Sequence, residues 1–425
     1  MHSPLRLVDP ADTNPALCHP RKKQDSANYW NEEMKNRILF ITEALWIGGI
    51  ETALINLLNR MDYDKYDVTC LVVRSSLELA DRITPKCRLI IADREKVFTF
   101  PKRYKFSRLY HLTEESENPS RLHRAMMWAV PAIKWIENRL YIRYIRKNLK
   151  HEHFDTCVIY SDRTAETAVR AVRADKYLMF YHHGAMRREY HDEIGYRKSE
   201  KIINVSGKTL DALKTFRPRY ADKITVIHNL VDIDSVIQKS MEQINTGFPE
   251  NCFNLVSCGR LTEAKGYDWA IQTMDILLKK GLTDLHWWIV GGGPDESALK
   301  QQAVKAGIDQ HFHFLGMQSN PYPYIAAADL YVQPSRYENY SVVILEAMAL
   351  CKPILATFPA AEMQIMSGVN GLLCEADPES IAAAIEYLYH HRDEMEAFVQ
   401  HLKENSLEKQ NEEIMNSLYG LLDGK

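Results

Sequence analysis

Two carboxylates eight residues apart, in Glu338-Asn-Tyr-Ser-Val-Val-Ile-Leu-Glu346, carry the clearest chemistry in this sequence. The run before them, Asp329-Leu-Tyr-Val-Gln-Pro-Ser335, reads as a buried strand, and residues 341–350 combine good helix formers with apolar periodicity. Glu338 is therefore expected in the strand-to-helix loop and Glu346 on the second helical turn. Between them the backbone N–H groups of Asn339, Tyr340, Ser341 and Val342 open the helix, where unpaired donors and the helix dipole favour an anion. A phosphate cradle with a carboxylate at each side suits a sugar nucleotide. Phosphates accept from N–H groups, while sugar and ribose hydroxyls donate to carboxylates. Two glutamates at this spacing, met alone, are more often a solvated loop residue and a surface helix residue, so the reading depends on what accompanies them.

Two earlier strand ends supply that company. Gly259-Arg-Leu-Thr-Glu-Ala-Lys-Gly266 follows the apolar run 253–258 and places Arg260 and Lys265 in one loop, a forked cation and a point cation suited to a diphosphate. The run 285–290 leads into Gly291-Gly-Gly-Pro294, where missing side chains, Gly292 at the centre, permit backbone to approach a ligand. Three strand ends with ligand-binding loops, in this order, describe one crevice of an open α/β sheet.

Upstream lie Gly48-Gly49-Ile50-Glu51 after the first strand-like run, His182-His183-Gly184 at a later strand end, and Ile227-His-Asn-Leu-Val-Asp232 before the second half. Taken in order with the Arg260 and Lys265 loop, the triple glycine and the paired glutamates, they make residues 37–395 resemble the retaining glycosyltransferases of family 4. The resemblance implies an α/β chain of the GT-B fold, two Rossmann-like, doubly wound domains facing a central cleft. It also implies transfer of a sugar from a nucleotide-sugar donor to a glycan or lipid-linked acceptor, with retention and without a metal or cofactor, in surface polysaccharide or glycolipid synthesis. A UDP-sugar is the first expectation and GDP-mannose the second, on family frequency. In family terms Glu338 holds sugar hydroxyls, a histidine at His182 or His183 lies near the transferred sugar, and Glu346 takes the ribose. Gly48, Gly49, Arg260, Lys265, Gly292, Asn339, Tyr340 and Ser341 complete the donor site. Asn339 stands where the family usually has Gly, which bears on donor-sugar geometry, and Leu230 stands where Gly is common in the linker.

Strand-like runs at 38–42, 67–73, 88–92, 156–160, 176–182, 202–205 and 223–228 alternate with helix-like segments, which implies a parallel sheet covered by helices. A second series starts at 253 and continues through 353–356 and 371–374, after a polar break at about 232–250. The expected organisation is a polar, disordered lead (1–36), an acceptor-side domain (37–232), a nucleotide-sugar domain (233–395) and a charged helical segment (396–425) that in relatives crosses back to the first domain. Successive strand residues face opposite sides, so only one of His182 and His183 points inward; the sequence leaves open which.

A net charge of −3 gives no general pull toward nucleic acid. At 26% charged and 46% hydrophobic residues the chain reads as an ordinary globular enzyme, and its length calls for more than one domain. Eight cysteines without a C-x-x-C pair read as reduced thiols of a cytoplasmic protein. The lead has no apolar signal core, and no run reaches the roughly 18–20 apolar residues of a membrane span. Asp232-Ile-Asp234 is a D-x-D in the linker and is read as coincidence rather than a metal site. Residues 101–153 stand apart, with 12 Lys or Arg against 5 Asp or Glu. There, 122–149 read as a long basic helix with Trp128, Trp135, Tyr141 and Tyr144 as anchors. Such a helix lies on an anionic membrane surface, making the enzyme peripheral on the inner face, or packs on its own domain with its charges in water. The competing functional readings are a sugar-nucleotide epimerase of similar fold and a non-catalytic glycosyltransferase-like subunit.

Overall fold

A computed structural model describes residues 6–8, 35–74, 76–92, 121–184, 186, 193–357 and 361–424, with the side chains of 6–8 and 121–134 left out. The first sheet contains β1 (Arg6–Val8), β2 (Asn36–Thr42), β3 (Tyr66–Val72), β4 (Arg88–Ile91), β5 (Phe154–Ile159), β6 (Ala174–Tyr181), β7 (Lys201–Asn204) and β8 (Ile224–Val226). Its order is β1-β4-β3-β2-β5-β6-β7-β8. β1 pairs antiparallel with β4, and the pairs from β4 through β3, β2 and β5 to β6 are parallel.

The second sheet contains β9 (Phe253–Cys258), β10 (Leu285–Val290), β11 (Phe312–Gly316), β12 (Leu330–Gln333), β13 (Ile354–Thr357) and β14 (Leu372–Cys374), ordered β11-β10-β9-β12-β13-β14 and parallel throughout. The chain lays down β9, β10 and β11 in one direction, then returns to the other side of β9 for β12. Such a reversal opens a crevice beyond the carboxyl ends of the two strands where it occurs. In the first sheet the same reversal falls between β2 and β5.

Parallel strands are covered on both faces, which is why they read as continuous apolar runs. On one face Leu255, Trp287, Ile289, Leu330, Val332 and Leu355 are buried under helices Tyr267–Lys279, through Ile271, Met274 and Leu277, and Pro378–His390, through Ile381, Ile385 and Leu388, which pack side by side.

The chain forms two compact units, Met1–Trp46 with Asp62–Tyr181 and Arg188–Ile202, and Ile47–Met61 with His182–Arg187 and Ile203–Lys425. Helix Gly49–Asn59 thus clusters with the second unit although it precedes most of the first sheet. Its polar face explains this. Asn56 donates to the Leu230 carbonyl (3.1 Å), Asn59 to Asp232 (3.3 Å), and Arg60 pairs with Glu408. Helix Glu408–Asp423 adds Tyr419, whose hydroxyl donates to the Arg60 carbonyl (3.2 Å), and Asn411, which bonds both the N–H and the carbonyl of Val231. The C-terminal segment is accordingly helical and seated on residues 47–61 and the linker.

Helix Arg121–Asn148 lies where the basic segment is expected. Two strands are not foreseen. β1 falls in the polar lead, the rest of which, to residue 34, lies outside the described residues; β11 carries His313 inside a short apolar run. The seven cysteines among the described residues are free. Among them, too, no helix is long and apolar enough to cross a membrane.

The edge of the second sheet holds a histidine stack. His286 Nδ1 lies 3.0 Å from His313 Nε2, His311 stacks on His286, and Trp288 covers His313 at 3.9 Å between centroids. Burial, with His286 and His311 nearby, pushes His313 down to about 4. Burial and His311 also lower His286, against the opposing pull of Asp284. Between about 4 and the ordinary value near 6.5, the unfolded chain binds a proton that the folded one refuses, so stability present above that range is lost as pH falls through it. The melting temperature should therefore drop as pH is lowered from 7 to 4. In His313→Phe, which keeps the stack on Trp288, the drop should be shallower by differential scanning fluorimetry; parallel curves for the two proteins would remove the histidines as its cause.

Candidate functional site

The crevice of the second sheet is built by the loops after β9 and β12, which touch backbone to backbone. Gly266 has φ +68°, and a Cβ there would fall 2.0 Å from the Pro334 carbonyl oxygen. Arg336 then fastens the loops together. Its N–H donates to the Ala264 carbonyl (2.9 Å), and its guanidinium forks onto Asp268 (2.7 and 2.6 Å) over the Trp269 ring, 3.9 Å from the centroid.

This contact brings Lys265 and Glu338 together, Nζ 2.5 Å from Oε1 and both side chains largely shielded. The same oxygen accepts from Ser335 Oγ (2.9 Å) and Gln333 Nε2 (3.0 Å). The Tyr331 hydroxyl donates to Gln333 Oε1 (2.5 Å), so the amide presents its NH2 to the carboxylate. Glu338 is thus fixed through one oxygen, and among the described residues nothing donates to Oε2. A carboxylate held this way is suited to accept from a ligand hydroxyl.

Beyond the loop, Ser341 caps helix Val342–Ala349 through a bond from the Ile344 N–H, and its own N–H is taken by Gln364 Oε1 (2.8 Å). Of the four helix-start donors expected from sequence, Ser341 is therefore already satisfied by protein. The N–H groups of the other three, Asn339, Tyr340 and Val342, and that of Val343 beyond them, meet no acceptor among the described residues and are open to an anion. Glu346 is buried on the second turn and accepts from the Tyr322 hydroxyl (2.8 Å). Tyr340 is a buried pillar, its ring stacked on His228 and its hydroxyl accepting from Gln410 (2.9 Å). Asn339 is a strut. Its Nδ2 donates to the His182 carbonyl (3.3 Å) and its Oδ1 accepts from Thr209 (2.8 Å), which draws the half-buried His182 and His183 to the Glu338 loop. A Cβ on Gly184 would meet the Asn339 nitrogen at 3.4 Å.

Arg260 is exposed, with no ion-pair partner among the described residues. Gly48 precedes helix Gly49–Asn59 in extended backbone, and a Cβ on Gly49 would meet nothing within 4 Å. The triple glycine differs. Cβ atoms on Gly291 and Gly293 would lie 1.9 Å from the Gly259 carbonyl oxygen and 2.3 Å from that of Leu261. Those two glycines let neighbouring strand-end loops pack, and only Gly292, 3.5 Å from Met317, has room. Asp232 caps helix Ile233–Ser240 through the Ser235 N–H (3.2 Å), which accounts for the first half of the D-x-D. Among the described residues no cluster of three His, Cys, Asp or Glu could hold a metal.

The sequence reading misses Gln333, Ser335, Arg336, Thr209 and Tyr322. Tyr331, Gln333 and Ser335 leave a signal, a period of two that lines one face at the end of an otherwise apolar strand.

Two family models match in succession, Glycosyltransferase Family 4 over residues 47–235 and Glycosyl transferases group 1 over 252–391. The chain is 29% identical over 168 residues to the lipopolysaccharide core biosynthesis glycosyltransferase LpsE of Rhizobium meliloti, covering 39% of this chain and 47% of that protein. It is 27% identical over 190 residues to an N-acetylgalactosaminyltransferase of Campylobacter jejuni that acts on N-acetylgalactosamine-N,N'-diacetylbacillosaminyl-diphospho-undecaprenol, covering 44% and 49%. The matched segments thus span about half the length of these relatives. Among solved structures, Anabaena HepE in complex with UDP-glucose aligns over 90% of this chain and 99% of its own, at TM-score 0.63 and 18% identity. The lipopolysaccharide glycosyltransferase WaaG aligns over 86% and 94%, at TM-score 0.56 and 13% identity. These likenesses establish the α/β GT-B fold with two Rossmann-like domains.

The glycines separate packing from access. Gly293→Ala should lower stability by roughly 2–4 kcal/mol, because backbone must move to admit a methyl group. Gly49→Ala, in open space on the first turn of a helix, should leave stability within about 0.5 kcal/mol. Urea unfolding of both variants checks this, and equal midpoints would contradict the assignment.

Proposed function

The chain belongs to family 4 of the glycosyltransferases, and from that premise we propose that it moves a sugar from a nucleotide-sugar donor, a UDP-sugar first and GDP-mannose second, to a glycan or lipid-linked acceptor with retention of configuration. The observation that carries the reading is the Lys265 and Glu338 pair at the reversal between β9 and β12. One cation and one oriented carboxylate at a single point fit the two ends of a diphosphate-linked sugar. Lys265 and Arg260 neutralise the leaving diphosphate without a divalent metal, the Val342 and Val343 N–H groups receive phosphate oxygens, and Glu338 Oε2 accepts from the sugar. Glu346, buried and already bonded to Tyr322, takes the ribose. The acceptor hydroxyl attacks the sugar by positioning rather than through an enzymatic nucleophile, and the diphosphate leaves. UDP-glucose in the HepE complex supports the choice of donor. The lipopolysaccharide and diphospho-undecaprenol enzymes among the relatives support acceptors of surface-glycan synthesis.

Helix Arg121–Asn148 is the proposed membrane contact. Trp135, Ile136 and Leu140 are 59%, 50% and 44% exposed, and Arg139, Arg143 and Lys147 are exposed beside them. At 100° per residue these six fall in an arc of about 140°, whereas the buried Tyr141 and Ile145 point the other way. Large apolar side chains set among cations suit the headgroup region of an anionic bilayer. Arg146 is spent on the Arg170 carbonyl.

Two measurements test these readings. In a thermal-shift panel of nucleotide sugars run in EDTA, Glu338→Gln should keep affinity for the free nucleoside diphosphate and lose turnover. Glu346→Gln should weaken donor and free nucleotide alike by about 10-fold or more, the worth of a charged hydrogen bond. The same profile for both variants would refute this division of roles.

For the helix, wild-type protein should co-sediment with anionic vesicles, less so as salt rises, and charge reversal at Arg139, Arg143 and Lys147 should abolish this without changing the melting temperature. Equal partition onto neutral and anionic vesicles would instead mark a helix whose charges only face water.

A further inference from the structure

We propose that the reversal point of the first sheet carries an anion site of its own, formed by Arg74 and Arg163, which takes a phosphate group of the acceptor. Glu43 is the first residue after β2, Arg74 follows β3 by two, and Arg163 follows β5 by four. Three loops at adjacent strand ends therefore converge where an open α/β sheet binds its ligand. Glu43 is nearly buried, with 10% of its side chain exposed. Arg74 Nη2 lies 2.7 Å from Oε1, and Arg163 Nη1 lies 3.4 Å from Oε2.

Two guanidiniums are thus drawn to the two oxygens of one carboxylate while 58% and 53% of their side chains stay in solvent. Pairs this exposed add little to stability, so stability alone does not account for placing two like charges together. Asp162, beside Arg163 in the chain, is buried and accepts the Arg163 N–H (2.9 Å) in its own turn. Glu43 acts as a positioning residue that holds both cations outward. A phosphate laid across them relieves their repulsion and matches the planar fork of arginine.

A second observation ties this site to a lipid-borne acceptor. The buried Tyr141 hydroxyl donates to the carbonyls of Val73 (2.9 Å) and Ala92, at the ends of β3 and β4. The helix with the exposed apolar and basic face is thereby pinned to the residue next to Arg74, on the same sheet edge.

The identity of the phosphate bearer as acceptor rests on the glycosyl-transfer reading; the anion site does not. The test uses the full chain and Arg74→Lys/Arg163→Lys, which keeps cations for Glu43 and removes the forks. Arg74→Gln alone is the check should the double variant unfold. The probes are phosphatidylcholine vesicles doped with polyprenyl monophosphate, the same vesicles brought to equal charge with phosphatidylglycerol, and inorganic phosphate in solution. Wild type should prefer the polyprenyl phosphate vesicles by roughly 10-fold, equivalent to one charge-assisted hydrogen bond. The variants should lose that margin and keep their partition onto phosphatidylglycerol. Should inorganic phosphate bind wild type and not the variants while the vesicle margin is absent, the site stands with a soluble phosphorylated glycan as its source. An unchanged margin in the variants, or no difference with any probe, overturns the site. Thermal shifts with nucleotide sugars on the same proteins report separately on the donor reading, which fails only if wild type shows none.

Discussion

Everything proposed for the second unit depends on the close approach of two loops, those after β9 and β12, at the point where the sheet reverses direction. Parallel neighbours bring both strand ends to the same level, and Gly266 lets the backbones meet because no Cβ fits against Pro334. That approach puts Lys265 within reach of Glu338. Arg336 locks it by spending its fork on Asp268 and its plane on Trp269, so two loops with no sequence continuity behave as one platform.

A platform of this kind must hold carboxylates away from water without losing their charge. Desolvating a carboxylate costs several kcal/mol unless donors replace the lost hydration. Glu338 has three donors on one oxygen, two of them neutral and fixed by the strand itself. Strand geometry does the fixing: Tyr331, Gln333 and Ser335 face one way, and each orients the next before the chain turns. An ion pair with Lys265 alone would leave Glu338 free to follow the lysine, whereas the neutral donors hold it when the lysine is drawn to phosphate. Under the proposed donor reading, this prepares the site for a ligand that competes for the cation.

Much of this was legible in the sequence because parallel strands buried on both faces leave unbroken apolar runs. β9 and β10 match their expected bounds residue for residue, and most other strands differ by one or two. β11 was not legible, since His313 interrupts its apolar pattern and the compensating stack with His286 and Trp288 is a tertiary fact. The paired glutamates were visible by type and spacing. Their environment was not, because Tyr322, Gln364 and Gln410 reach them or their loop from distant segments. The glycines were visible too, but two of the three in Gly291-Gly-Gly serve contacts between loops that only the sheet order reveals. The grouping of helix Gly49–Asn59 with later residues was likewise hidden, being written in single side chains such as Asn56 and Asn411.

Asn339 shows how one departure from a family pattern can be absorbed. A glycine there would give a ligand room and flexible backbone; an asparagine gives neither, yet its amide bridges the His182 carbonyl and Thr209. Thr209 also receives Asn204, so the strut continues to the end of β7. The histidine loop, the glutamate loop and β7 are joined through this one side chain. The room a glycine would have left above the loop is exchanged for a fixed distance between His182 and Glu338. On the proposed donor reading, so rigid a spacing would favour one arrangement of sugar hydroxyls over a tolerant pocket.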